Sequence, residues 1–370
     1  MSRGRTAQTE EPVPESDRLE GCEHPRAQQY LFGHQRAARI LADAARRGSL
    51  PHAVLISGPK GVGKATLAWR LIRALMGRGR GEIADDLGMP SAVPAAALIE
   101  KLSHPDIMLL RRLWDDRAKK FGAEIPVDEV RRLSAFLGRH SAQGGWRIAI
   151  IDVADDLSRG AENALLKTLE EPPAQALIIL VSHAPGSLLP TTRSRCWHIA
   201  LRPLEQEEMA HALRTLKVTA SEGDDALLGV LAEGSPGKAL GLLGNGGLAT
   251  ARETLRLWAR LDRPDLGAIC ALAERLAKPQ ADAQFSVFLD TYRKLLWGTA
   301  RACAGEVNAL RAFGAGSADL ERIGVSGRLE EWTGLWDKLV HSVQRADALN
   351  LDKRHLIVSL LLDAQAVLRA

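Results

Sequence analysis

The chain has 370 residues, of which 46% are hydrophobic and 25% charged, with a formal net charge of +4. These are the proportions of a globular protein long enough for two or three cores, and they exclude a fibrous or wholly disordered chain. No apolar run approaches the ~20 residues that cross a bilayer, and Cys22, Cys196, Cys270 and Cys303 stand far apart without a C-x-x-C pair, which argues against a metal cluster or disulfide framework and for a reducing compartment.

The first 24 residues carry Arg3, Arg5 and Arg18 against Glu10, Glu11, Glu15, Asp17, Glu20 and Glu23. They contain no apolar signal region, and the acids speak against a transit peptide. Residues 1–24 are therefore expected to form a disordered tail on a cytoplasmic protein, with ordered structure beginning near Gln28, where the apolar periodicity starts. Gln35 to Arg47 predicts a helix with Ala38, Leu41, Ala42 and Ala45 on one face. His52 to Ser57 is a short apolar run, the pattern of a buried strand, and it ends at Gly58-Pro59-Lys60-Gly61-Val62-Gly63-Lys64-Ala65. From Lys64 to Met76 the pattern is helical again, with Leu67, Leu71 and Leu75 four residues apart.

Strand, glycine loop and helix are the context of a phosphate-binding loop, G-x-x-x-x-G-K-[S/T]. Gly58, Gly61 and Gly63 free the backbone so that its N–H groups and the helix start can cradle phosphate, and Lys64 reaches the terminal phosphates. The last position departs from the pattern. Ala65 has no hydroxyl with which to hold Mg²⁺, and Thr66, one residue on, is rotated roughly 100° around the helix. The loop is degenerate.

Residues 77–98, rich in Gly, Pro and Ala, predict a surface excursion, and Val127 to Leu137 an amphipathic helix. Trp146 to Asp152 and Ala176 to Ser182 are two further apolar strands. Continuous apolar strands alternating with helices predict a parallel sheet covered on both faces. Asp152 closes its strand where P-loop ATPases place the Mg²⁺-associated carboxylate. The next residue is Val153, so the glutamate that polarises water in hydrolysing enzymes is missing, and Asp155 and Asp156 lie too far along to take its place without rearrangement. Ser182 ends the third strand, where a polar side chain can sense the γ-phosphate. After Pro203 no strand pattern remains. Leu/Ala-rich helical stretches are broken at 234–237, 244–247 and 314–316, with a division expected near residue 250. Leu329, Trp332, Trp336, Leu339 and Val343 form one stripe at helical spacing, and Leu356, Leu360 and Ala364 another.

Asn163-Ala164-Leu165-Leu166-Lys167-Thr168-Leu169-Glu170-Glu171-Pro172-Pro173 is a helix stopped by two prolines. As a string it resembles the bacterial clamp-loader family of AAA+ ATPases. So do Ser194-Arg195-Cys196, Leu50-Pro51-His52-Ala53 and His104-Pro105-Asp106, in the right order over the first ~200 residues. The resemblance implies an α/β P-loop (AAA+) domain over 25–202, a helical lid over 203–250 and a helical collar over 251–370. It also implies membership of the DNA polymerase III holoenzyme. In this family the S-R-C arginine projects to the nucleotide of a neighbouring subunit, so Arg195 is implied as an arginine finger acting in trans. Motor subunits tend to carry a lid arginine where Gly237 stands, and Lys238 beside it is no bidentate substitute. Many members carry a four-cysteine zinc module after the P-loop; residues 77–98 contain no cysteine.

The departures at Ala65, Val153 and Gly237, with Arg195 intact, imply a non-catalytic stator with no required cofactor. It would stand between a motor (gamma/tau-like) subunit and a delta-like subunit in a pentameric ring that loads the sliding clamp on primed DNA, away from any membrane. The competing expectation is a motor subunit, or another AAA+ ATPase, that hydrolyses ATP with Lys64 and Asp152. Gly58, Gly63 and Lys64 also leave room for weak ATP binding as a structural ligand.

Overall fold

The computed structural model describes residues 13–19, 22–77, 83–88, 94–139, 141, 145–218, 224–306, 308–314, 317–325, 328–349 and 352–369. The chain divides into two compact units, Met1–Glu208 and Met209–Ala370.

In the first unit the elements follow as α1 (Gln35–Arg47), β1 (Ala53–Ser57), α2 (Lys64–Gly77), α3 (Pro94–Glu100), β2 (Ile107–Leu110), a short hairpin of β3 (Trp114–Asp115) and β4 (Lys120–Phe121), α4 (Val127–Leu137), β5 (Arg147–Asp152), α5 (Arg159–Glu170), β6 (Ala176–Ser182), α6 (Pro190–Ser194) and β7 (Trp197–Ala200). Five strands form one sheet in the order β2-β5-β6-β1-β7, every pair parallel. Strands β1, β5 and β6 are buried along their whole length, as continuous Val/Ile/Leu runs require when helices cover both faces. On one face Val130, Leu133, Leu165 and Leu169 of α4 and α5 pack against Leu55, Ala149, Ile151 and Ile178 of the sheet. Helix α1 buries Ala38, Leu41, Ala42 and Ala45, the face its periodicity predicts. This is a P-loop-type α/β arrangement, a parallel sheet with helices on its faces.

Two of the five strands were not expected from the sequence. β2 and β7 have four residues each and lie at the two edges of the sheet. Only Leu110 of β2 and Ile199 of β7 are buried, so neither carries the long apolar run of an inner strand.

Part of the stretch expected to be a disordered tail is folded onto the domain. Glu15 pairs with Arg26 at 2.8 Å and with Arg111 at 2.9 Å. Asp17, whose side chain is fully buried, pairs with His24 at 3.1 Å and with Arg111. Two buried arginines of α2 hold the continuation of this strap: Arg73 donates to the Arg26 and Gln28 carbonyls at 2.6 and 2.7 Å, and Arg70 donates to the Gln29 carbonyl. Residues 1–12, 20 and 21 lie outside the described residues.

After α7 (Gln206–Thr215), the second unit is helical throughout its described residues: α8 (Asp225–Ala232), α9 (Pro236–Gly244), α10 (Gly247–Trp258), α11 (Leu266–Leu276), α12 (Asp282–Cys303), α13 (Asn308–Arg311), α14 (Ser317–Val325), α15 (Leu329–Leu349) and α16 (Lys353–Arg369). Trp258, Phe288, Tyr292 and Trp332 are buried in one core that runs from Leu227 to Ala364. Trp258 stands edge-on to Tyr292 at 5.0 Å, and both polar handles are satisfied, Trp258 Nε1 donating to Thr299 at 3.1 Å and the Tyr292 hydroxyl to the Leu360 carbonyl at 2.8 Å. Residue 250, where a division was expected, lies inside α10. Of the two apolar stripes, Trp332, Leu339, Leu356, Leu360 and Ala364 are core, whereas Leu329 is exposed. Among the described residues no helix is long and apolar enough to cross a membrane.

The turn out of β1 depends on a glycine. Gly58 has φ +146°, and a Cβ there would sit 2.4 Å from the Leu201 carbonyl oxygen, an oxygen belonging to backbone that cannot swing aside because the Leu201 N–H donates to Ser57 at 2.8 Å. Gly58→Ala is expected to lower unfolding stability by about 3 kcal/mol or more, from backbone strain and overpacking together. Urea denaturation would measure this; a loss below about 1 kcal/mol would contradict so close an approach.

Candidate functional site

The parallel register brings the nucleotide-type residues to one edge of the sheet. Asp152 is level with Val181, Val181 with Ile56, and Ser182 with Ser57. The ends of β1, β5 and β6 therefore deliver the phosphate loop, Asp152 and Ser182 to the carboxyl edge, where ligands bind in open α/β sheets. Gly61 and Gly63 hold φ of +79° and +114°, which suits glycine and little else. Helix α2 begins at Lys64, so its first-turn N–H groups face the loop.

Lys64 is buried, and its Nζ donates to the loop's own Gly58 and Pro59 carbonyls, both at 2.6 Å. Burial pushes its pKa down to about 8, against the pull of Asp152 and Asp155. His34, also buried, leans on the loop from the other side, with Nε2 2.9 Å from the Val62 carbonyl oxygen; burial lowers its pKa. The adjoining Ala65 and Thr66 are half-buried at the start of α2.

Asp152 is buried at the end of β5, and its pKa is pushed up to about 7, first by desolvation and then by the Asp17 carboxylate, with Lys64 opposing. Asp17 reaches this neighbourhood through Arg111, the residue after Leu110, which pairs with Ile151 in the register.

Asp155, set aside on sequence grounds, organises the loop after β6. It accepts from Ser182 Oγ at 2.6 Å, from the Ala184 N–H at 3.2 Å, and from the His183 N–H. The hydroxyl of Ser182 is thus committed to Asp155. The signal available in sequence was an acid three residues past a strand end, a common place for a carboxylate that caps a neighbouring loop.

Arg195 lies elsewhere. It caps the short helix α6 just before β7, and β7 runs parallel to β1 with Val54 beside Trp197 and Ser57 beside Ala200. The phosphate loop follows the carboxyl end of β1, whereas Arg195 precedes the amino end of β7. At ~3.3 Å per residue the two stand at opposite edges of the sheet, roughly 20 Å apart along the strands. That exceeds the reach of one side chain. Arg195 Nη2 meets Glu170 Oε1 at 2.7 Å, and Nη1 donates to the Thr191 carbonyl at 2.9 Å. The next residue, Cys196, packs against the α4–α5 core, and burial lifts its thiol pKa to about 12. It acts as a small apolar anchor beneath the arginine.

In the second unit, Ser235 caps α9, accepting from the Lys238 N–H at 3.2 Å. Lys238 Nζ pairs with Glu233 at 3.0 Å and Asp290 at 2.9 Å, so its ammonium is neutralised within its own unit. Gly237 beside it supplies no side chain.

The displaced pKa of Asp152 makes stability depend on pH. A carboxyl moved from 3.8 to about 7 by folding contributes stability that is fully present below its unfolded value and is lost as pH rises toward 7. Asp152→Asn should therefore stabilise the chain at pH 8 by on the order of 3 kcal/mol, the gap closing toward pH 4. Denaturant midpoints of both proteins at pH 8, 6 and 4.5 test this, and a pH-independent difference would refute it.

Residues 33–205 match the model of the family described as DNA polymerase III, delta subunit. The chain is 34% identical over 201 residues to the DNA polymerase III subunit delta' of Pseudomonas aeruginosa, covering 54% of this chain and 58% of that one. It is 35% identical over 209 residues to the delta' subunit of Escherichia coli, covering 55% and 58%. A gamma subunit from Buchnera aphidicola is 28% identical over 223 residues, covering 59% of this chain and 58% of its own. The chain thus spans less than two thirds of the length of these relatives. Among solved structures, a gamma-subunit-related protein of Thermotoga maritima aligns with a TM-score of 0.41 at 16% identity, covering 91% of this chain and all of that one.

Proposed function

We propose that this chain, whose residues 33–205 match the family described as DNA polymerase III, delta subunit, belongs to the clamp-loader family and is the delta-prime-like stator of a clamp loader. It holds a motor (gamma/tau-like) subunit on one side and a delta-like subunit on the other, in a five-membered ring that opens the sliding clamp and loads it on primed DNA. Its role in ATP hydrolysis is to lend Arg195 to the motor subunit's nucleotide. An arginine finger acts by neutralising charge on the transferred phosphoryl group, so it needs no nucleotide in its own subunit.

The observation that carries this reading is the placement of Arg195 at the sheet edge opposite its own phosphate loop. No rotamer brings it to that loop, and any nucleotide it serves belongs to another chain. The phosphate loop supports the same reading. Ala65 offers no hydroxyl to Mg²⁺, Val153 offers no carboxylate to water, and Lys64 is already bonded to loop carbonyls. The chain therefore needs no cofactor and binds ATP weakly at most.

Similarity to gamma and tau subunits keeps a motor reading in competition, with Lys64 and Asp152 as its catalytic residues. Two measurements separate the readings. The purified chain with Mg²⁺ is expected to show no steady-state ATP hydrolysis; turnover abolished by Lys64→Ala would identify a motor. In the complex reconstituted with motor and delta-like subunits, Arg195→Ala is expected to cut the ATPase by roughly tenfold or more at the site it serves. An unchanged ATPase in a correctly assembled mutant complex would overturn the stator reading.

A further inference from the structure

We infer that Glu170 is a positioning residue for Arg195, and that α5 is the ruler against which the arginine-bearing segment is set. The inference rests on the proposed role of Arg195 in trans. Helix α6 has five residues, far too few to hold its own shape. Its segment is fastened to α5 at both ends. At the near end the Leu189 N–H donates to Glu162 Oε1 at 2.5 Å, and Glu162 is buried. At the far end Arg195 Nη2 meets Glu170 Oε1 at 2.7 Å. Glu162 and Glu170 are eight residues apart on α5, which is about 12 Å along its axis.

The end of α5 is set by Pro172 and Pro173, which cannot continue a helix. Glu170 is its last residue, at the negative end of the helix dipole, where a carboxylate is disfavoured and a cation beside it is welcome. The pairing with Arg195 offsets that placement. An exposed ion pair alone orders little, but here the guanidinium has a second fixed contact, Nη1 on the Thr191 carbonyl at 2.9 Å. Two of its five N–H groups are used in cis and three remain. The side chain is 34% exposed, so it is accessible from outside the chain. Glu170 thus holds the arginine in one orientation before a neighbour's phosphate arrives, which removes ordering cost from the reacting complex.

The test compares Glu170→Ala, Glu170→Gln, Arg195→Ala and the Glu170→Ala/Arg195→Ala double variant in the full reconstituted complex, reading kcat and KM for ATP. Glu170→Ala is expected to lower kcat roughly three- to tenfold with KM changed less than about twofold, since a positioned finger acts in the transition state. Glu170→Gln keeps an oxygen acceptor at the same reach and should recover at least half of the lost rate. The double variant should be no slower than Arg195→Ala alone, a non-additivity that general loss of fold would not produce. If Arg195→Ala slows the complex but Glu170→Ala does not, or if the two losses multiply, the inference fails and the stator reading stands. If Arg195→Ala has no effect, both fail.

Discussion

Everything about the candidate site follows from the parallel register of β1 between β6 and β7. β1 is buried along all five residues and bonded on both sides, so its direction sets the polarity of the whole sheet. Its carboxyl end turns through Gly58 into the phosphate loop, and its neighbours deliver Asp152 and Ser182 to the same edge. The polarity that gathers these groups also sends the segment before β7 to the other edge. A parallel sheet therefore separates a nucleotide-type site from an arginine carried on an adjacent strand, and the separation is a matter of topology rather than of side-chain choice. Short edge strands and a five-residue helix finish the arrangement cheaply, but they need outside support, and α5 supplies it.

The inner architecture was legible because burial leaves a strong pattern. β1, β5 and β6 are unbroken apolar runs, α1 shows its buried face at helical spacing, and the helix stop at Pro172 and Pro173 is plain from covalent chemistry. What was not legible has a common cause. β2 and β7 are edge strands of four residues, half-covered, and their composition does not separate them from loop. Asp155, Glu162 and Glu170 make contacts to residues 27, 27 and 25 positions away, and no local spacing rule reports a bond between loops distant in sequence. The same holds for Glu15 and Asp17, whose acidic surroundings look like a solvated tail until Arg26, His24 and Arg111 are seen beside them.

The charges at the carboxyl edge are arranged unlike those on the surface. Lys64 and Asp152 are both buried and both displaced toward their neutral forms, the expected result when a cation and an anion are withdrawn from water without a tight pair between them. Lys238, by contrast, is tied to Glu233 and Asp290. A site under such electrostatic tension is costly to keep and costly to change in one step, since removing either charge alters the environment of the other. Ala65 offers no hydroxyl to a metal, and the glycines and lysine of the loop have structural roles of their own, in the turn at Gly58 and in the bonds of Lys64 to the loop carbonyls.

The strap held by Arg70 and Arg73 bears on where this domain begins. Similarity to the family starts at residue 33, but the hydrogen bonds start earlier, with the Arg26, Gln28 and Gln29 carbonyls accepting from two guanidinium groups buried in α2. A fragment cut at residue 33 would remove the Arg26 and Gln28 acceptors of Arg73 and one acceptor of Arg70, which keeps its bonds to Asp86, and a buried charge that loses its partners is costly. Helix α2 carries the phosphate loop at its other end, so the damage would travel along a rigid rod to the nucleotide edge. The physical boundary of the domain is therefore drawn by buried arginines, which reach back to Arg26, ahead of the boundary at residue 33 drawn by resemblance.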